Sequence, residues 1–194
     1  MPQIHRDSLM TLEAYSKARP EFRKQVIEHK KLRTVPLGDH VTLLFEDELT
    51  VRYQIQEMLR IEKIFEEDGI LHELESYGPL IPDGRNFKAT MLIEYEDPTV
   101  RRAALGRLKG VEQKVWIQVE GSPKVYAIAD EDLERENDEK TSAVHFLRWE
   151  LTDEMAAALK YGVSLSIGLD HANYTAALSP VSKGTRNALV ADLR

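Results

Sequence analysis

The stretch from Val41 to Phe65, VTLLFEDELTVRYQIQEMLRIEKIF, constrains the fold more than any other part of this chain. Val41 to Phe45 is a nearly continuous apolar run, the pattern of a strand buried on both faces. Glu46, Asp47 and Glu48 then put negative charge where a helix N-terminus belongs, with Thr50 as its cap. From Val51 onward good helix formers dominate, and no Gly or Pro intervenes before Gly69, where the helix is expected to end. At roughly 100° per residue, Val51, Ile55, Met58, Leu59, Ile61, Ile64 and Phe65 share one broad arc. Arg52, Gln56, Arg60 and Lys63 form the polar strip. A helix this apolar is expected to pack on more than one side.

The same projection places Glu62 inside the apolar arc, with Gln54 and Glu57 at its edge. A buried carboxylate must be paired, hydrogen-bonded or protonated, because a bare buried charge is costly. Either Glu62 forms a structural ion pair with an arginine from another element, or it is a ligand-binding or catalytic carboxylate. Arg148 is the candidate partner for Glu62 or Glu57, since buried carboxylates are commonly met by arginine. It lies between Phe146 and Glu150 on one face of a strand running from Ala143 to Leu151. His145 lies on the opposite face with Leu147 and Trp149, as a hydrogen-bonded core histidine or a ligand. Glu57, Arg60, Glu62, His145 and Arg148 are therefore the candidate binding residues.

Elsewhere the punctuation is regular. Residues 7–18 read as a short helix, and Pro20 suits the first turn of a second, Glu21 to Leu32, with Phe22, Val26 and Ile27 buried. Leu37 to His40 is a turn. Tyr77 to Gly84 is a loop and a loose boundary between a helical part, residues 1–80, and a sheet-rich part, residues 86–194, of one domain. Lys88 to Glu96 alternates as a strand does. Asp97-Pro98 opens a helix through Leu108. Residues 115–120 and 124–129 form a hairpin about Gly121-Ser122-Pro123. Thr152 caps a further helix, strands follow at 163–169 and 174–178, and a terminal helix spans 183–193.

Composition removes several chemistries. The 194 residues contain no cysteine, which excludes disulfides, a thiolate nucleophile, an iron–sulfur cluster and thiolate-bound zinc. None of the six histidines follows a glutamate by three positions, so the di-iron spacing of helical bundles is missing. His72-Glu73 lacks the second histidine of a zinc protease, and there is no Gly-rich phosphate loop. Gly162-Val163-Ser164-Leu165-Ser166 misses the nucleophile elbow at its last position. No metal and no cofactor is expected. With 42% hydrophobic and 30% charged residues the chain has a soluble globular composition. It has no apolar run near the ~18 residues of a membrane helix and no signal pattern, so the expected location is cytoplasmic.

A net charge of −7 argues against nucleic acid as a partner. The charge is uneven. Residues 17–33 carry Lys17, Arg19, Arg23, Lys24, Lys30, Lys31 and Arg33 against Glu21 and Glu28. Residues 130–139 carry seven acids against Arg135 alone. Both clusters are expected at the surface. The basic helix, through Arg23, Lys24, Lys30 and Lys31, is either a solvated face or a docking face for a homodimer or an acidic partner.

The strings EFRKQVIEHKKLRTVPLG, FEDELTVRYQIQEMLRIEKI, YGPLIPDG and AIADEDLERENDEKTSAVHFLRWEL resemble, over the whole chain, a bacterial family designated domain of unknown function 3501. The resemblance carries no activity. It implies a gene neighbourhood with a rubrerythrin-like protein and an iron–sulfur oxidoreductase, and hence partners of those kinds beside peroxide or redox metabolism. The expectation is an α+β protein, an N-terminal helical layer on a mainly antiparallel sheet built from residues 86–180. It is expected to act as a non-catalytic binding or accessory protein. The alternative is an enzyme or small-molecule binder using the carboxylate/arginine region.

Overall fold

The computed structural model describes residues 4–132, 135, 137 and 139–194. The first helix, α1 (Leu12–Lys31), is continuous through Pro20, where two helices were expected. Pro20 cannot bond the carbonyl of Ser16, but both residues are exposed, so water can serve that carbonyl. Thr11 caps the helix by accepting from Ala14 N. An unbroken phase brings Tyr15, Arg19, Phe22, Val26 and His29 onto one stripe. It also turns Ile27 outward, 44% exposed, against expectation.

A hairpin follows, β1 (Thr34–Leu37) and β2 (Val41–Phe45), turned by Gly38 at φ +69°. Helix α2 (Glu48–Glu62) begins in a capping box: Asp47 accepts from Thr50 N, and the Thr50 hydroxyl accepts from Asp47 N. The cap is thus Asp47, with Thr50 three residues inside. The helix ends at Lys63, in the left-handed conformation, six residues before Gly69. Helix α3 (Glu67–Tyr77) and a 3-10 turn, Gly78–Leu80, lead into the sheets.

The rest comprises β3 (Asn86–Ile93), α4 (Pro98–Arg107), β4 (Val115–Val119), β5 (Val125–Tyr126), β6 (Ile128–Ala129), β7 (Val144–Glu150), α5 (Asp153–Lys160), β8 (Leu165–His171), β9 (Tyr174–Leu178) and α6 (Lys183–Val190). The architecture is α+β, with two antiparallel sheets in place of the single one expected. One runs β1-β2-β3-β7-β6 and the other β5-β4-β8-β9. The N-terminal part therefore supplies two strands, not only helices. Residues 124–129 serve both sheets: β5 pairs with β4, β6 pairs with β7, and Ala127 N between them donates to Val115 O. On the far side Tyr174 of β9 donates to Leu37 O and accepts from His40 N, joining β9 to the β1–β2 turn.

The main core lies between the sheets, with Leu43, Phe45, Phe87, Met91, Trp149, Ile117, Leu165 and Ile167 among its members. A second, smaller cluster is helical: Leu9, Val51, Ile55, Leu59, Ile70 and Ile81. No helix among the described residues is long and apolar enough to cross a membrane.

Candidate functional site

The helix α2 places its two candidate carboxylates differently from the wheel. Glu62 is exposed, as are Ile61 and Phe65, because α2 stops there and the chain turns away. The buried residues are Thr50, Val51, Ile55, Gln56 and Leu59. Gln56, assigned to the polar strip, is 1% exposed and accepts from Met10 N while donating to Met10 O. The acidic residue set against the helical cluster is Glu73 of α3. Burial raises its pKa, and Glu62 nearby raises it further.

Glu57 faces α1. Its Oε1 accepts from Tyr15 Oη and from Arg19 Nε, both at 2.7 Å, and its Oε2 accepts from Arg19 at 3.0 Å and Arg60 at 3.3 Å. Arg19 above all, then the Tyr15 hydroxyl, holds the Glu57 carboxyl at about 2, below the ordinary 4.5. A lowered folded pKa stabilises the fold above the unfolded value. That contribution fades as pH falls from 4.5 through about 2. Glu57 thus fastens α2 to α1 through Tyr15 and Arg19, and Arg60 braces it from within α2.

His145 is fully buried. Its Nδ1 lies 2.5 Å from Asp130 Oδ2, and its Nε2 lies 3.0 Å from both Ser142 O and Thr141 Oγ1. Asp130, at φ +49°, also accepts from Phe146 N, so the entrance of the acidic segment is tied to β7. The two charge clusters each send a residue inward. Asp130 is one, and Arg33, 2% exposed, is the other. Among the described residues the clusters do not meet. Lys17 and Lys31 pair within α1, while Glu131 and Glu139 pair with Arg148 and Arg102. Lys30 lies over the ring of Tyr53 at 5.5 Å.

Arg148 meets neither Glu57 nor Glu62. It stands directly opposite Lys88 in the β3–β7 register, as Phe146 does opposite Thr90. Lys88 and Arg148 floor a cleft of about 540 Å³ beside the 3-10 turn, walled by Pro79, Leu80 and Phe146. Like charges directly opposed across strands destabilise a sheet, so this pair needs compensation. Lys88 Nζ donates to the carbonyls of Pro79 and Ile81 at 2.6 and 3.1 Å. Burial lowers its pKa; Asp83 opposes that shift and Arg148 adds to it. Arg148 donates through Nε and one terminal nitrogen to the two oxygens of Glu131, both at 2.7 Å, and also to Glu150. Arg148 above all lowers the pKa of Glu131.

The lining sets Lys88 and Arg148, both already partnered, beside Glu75, Glu131 and Asp132 and an apolar surface of Pro79, Leu80 and Phe146. Glu75 and Ser76, its nearest approach to a base and a nucleophile, are adjacent on α3 and so do not face each other. Among the described residues no group of three or more His, Asp or Glu side chains is placed to hold a metal ion. Lys88 and Glu131 were absent from the sequence-derived set. Both were legible as outward or acidic residues, but only the strand register brings them to Arg148.

A family model described as a protein of unknown function (DUF3501) matches residues 3–193. A crystal structure of a novel protein of unknown function from Burkholderia pseudomallei K96243 is 57% identical, with a TM-score of 0.94 over 99% of this chain and 100% of that one. No curated protein matches.

Proposed function

The chain belongs to the DUF3501 family of proteins of unknown function, and from that premise we propose that it is a non-catalytic binding protein. Its ligand site is the cleft over Lys88 and Arg148, and its ligand is a small anion. The observation that carries this reading is the register-opposed pair of cations on the floor of a partly apolar cleft. The volume also lies within the ~300–1,000 Å³ of small-molecule sites. Calorimetric titration with a panel of small carboxylates and phosphates tests the reading. The expected result is a saturable ligand whose affinity falls roughly tenfold or more in Arg148→Gln, the worth of a charge-assisted hydrogen bond. A panel that binds nowhere, or binds Arg148→Gln unchanged, overturns it.

The gene neighbourhood implied by the family supports a cytoplasmic accessory role in a redox or oxidative-stress setting, beside a rubrerythrin-like protein or an iron–sulfur oxidoreductase. The contact with such a partner, or with a second copy, belongs to the outer face of α1, where exposed Ile27 lies among Arg23, Lys24 and Lys31. Changing Arg23, Lys30 and Lys31 to Glu is expected to abolish partner capture and to remove salt-sensitive association in light scattering. Capture unaffected by those changes makes the face a solvated surface only.

A further inference from the structure

Resting on that reading of the cleft, we infer that its ligand is a monocarboxylic acid with an apolar body, and that it binds by taking the place of the Glu131 carboxylate on Arg148. The Glu131–Arg148 contact is a two-point fork, both arms 2.7 Å, which is the geometry by which a guanidinium recognises a carboxylate. The occupant is replaceable. The Glu131 side chain is 53% exposed while that of Arg148 is 24% exposed, so the cation is fixed in the floor and the carboxylate approaches from the rim.

The displacement is local. Asp130, one residue earlier, is held independently by His145 and Phe146 N, so Glu131 can leave without unfastening the segment from β7. Lys88 keeps its two carbonyl partners throughout. Arg148 keeps its bond to Glu150, and Glu75 and Asp132 also line the cleft, so a ligand of one charge meets less repulsion than a dianion. Pro79, Leu80 and Phe146 receive its apolar body. The incoming carboxylate makes the bonds that Glu131 gives up, and Glu131 passes into water. Its own side chain is therefore a competitor built into the site, and it sets the affinity.

The test titrates octanoate, octyl phosphate and octylamine into the whole chain, its Glu131→Gln variant and its Arg148→Gln variant, with amide chemical shifts at residues 146–148 reporting the site. Glu131 is exposed enough that Glu131→Gln folds; a matching amide spectrum away from the cleft verifies this. The expected result is octanoate binding at least about tenfold tighter in Glu131→Gln than in the unaltered chain, and loss of binding in Arg148→Gln. Octanoate bound equally with and without the Glu131 carboxylate overturns the inference. So does preference for octyl phosphate, although the anion-binding reading then stands. Octylamine as the preferred ligand, or no shift at these residues with any of the three, overturns both.

Discussion

Replacing Arg33 with Ala is expected to cost about 3–5 kcal/mol of stability, the loss typical of breaking a buried ion pair by removing one partner. Arg33 is 2% exposed and forks onto Asp192, at 2.9 and 2.6 Å, while also donating to Ala188 O at 3.0 Å. Its Nε lies 3.1 Å from Asp47 Oδ2, an oxygen that also sits 2.5 Å from His29 Nε2. Asp47 is the cap of α2. Removing the guanidinium leaves Asp192 and Asp47 close to each other with only His29 to balance them. Burial already pushes the Asp192 carboxyl upward in pKa with Arg33 opposing the shift, and without Arg33 that push is unopposed except by His29. Denaturant unfolding at neutral pH measures the effect. A loss below about 1 kcal/mol, the range of exposed pairs, would mean that water reaches the cluster.

Gly168→Val is expected to destabilise by about 3 kcal/mol, the upper range for overpacking a close-fitting site. A Cβ at position 168 would fall 2.3 Å from Trp116 Cζ2, 2.6 Å from its Cε2 and 3.0 Å from Ala176 O. The ring cannot simply retreat. Trp116 is 5% exposed and Lys124 Nζ lies 3.9 Å above it, itself paired with Asp170. Space alone makes the case, since the Gly168 backbone is not in the left-handed region. The measurement is the melting temperature of Gly168→Val with and without Trp116→Ala. A cycle in which the second change recovers part of the loss assigns it to the ring. A Gly168→Val chain that melts with the parent would show that the Trp116 ring on β4 and the Ala176 backbone on β9 give way freely.

The sequence carries local structure well and pairing poorly, and the reasons are physical. Caps such as Thr152 and Asp97, and the alternation in β3 and β7, depend on residues within one turn or one strand. They were readable for that reason. Pro20 reads as a helix start, yet it is tolerated inside α1, where the exposed Ser16 carbonyl can turn to water and the cost of the lost bond is smaller. β1 is hard to read in the sequence because Thr34-Val-Pro-Leu is short and contains a proline, yet it is an edge strand, where a proline costs least. Glu62 falls on the apolar arc only of a helix that runs on to Gly69, whereas α2 and its packing end at Glu62. The cleft was the least legible feature. Lys88, Glu131 and Arg148 come from three segments, and their meeting is a property of the β3–β7 register. Arg33 hid for a related reason: its partner Asp192 stands 159 positions away.

The six residues Lys124 to Ala129, divided between two sheets, couple the assembly of one sheet to that of the other. The β5 half pairs with β4 across a short turn, whereas the β6 half has no ladder partner until β7, itself paired with β3, is in place. The β6–β7 arm joins Ile128 to Arg148 across the acidic segment, so the entropy of that loop must be spent before its ladder bonds return it. Once both arms are paired, the segment works as a lock stitch. Opening one sheet at this corner pulls the backbone of the other, so the two layers are bound to come apart together.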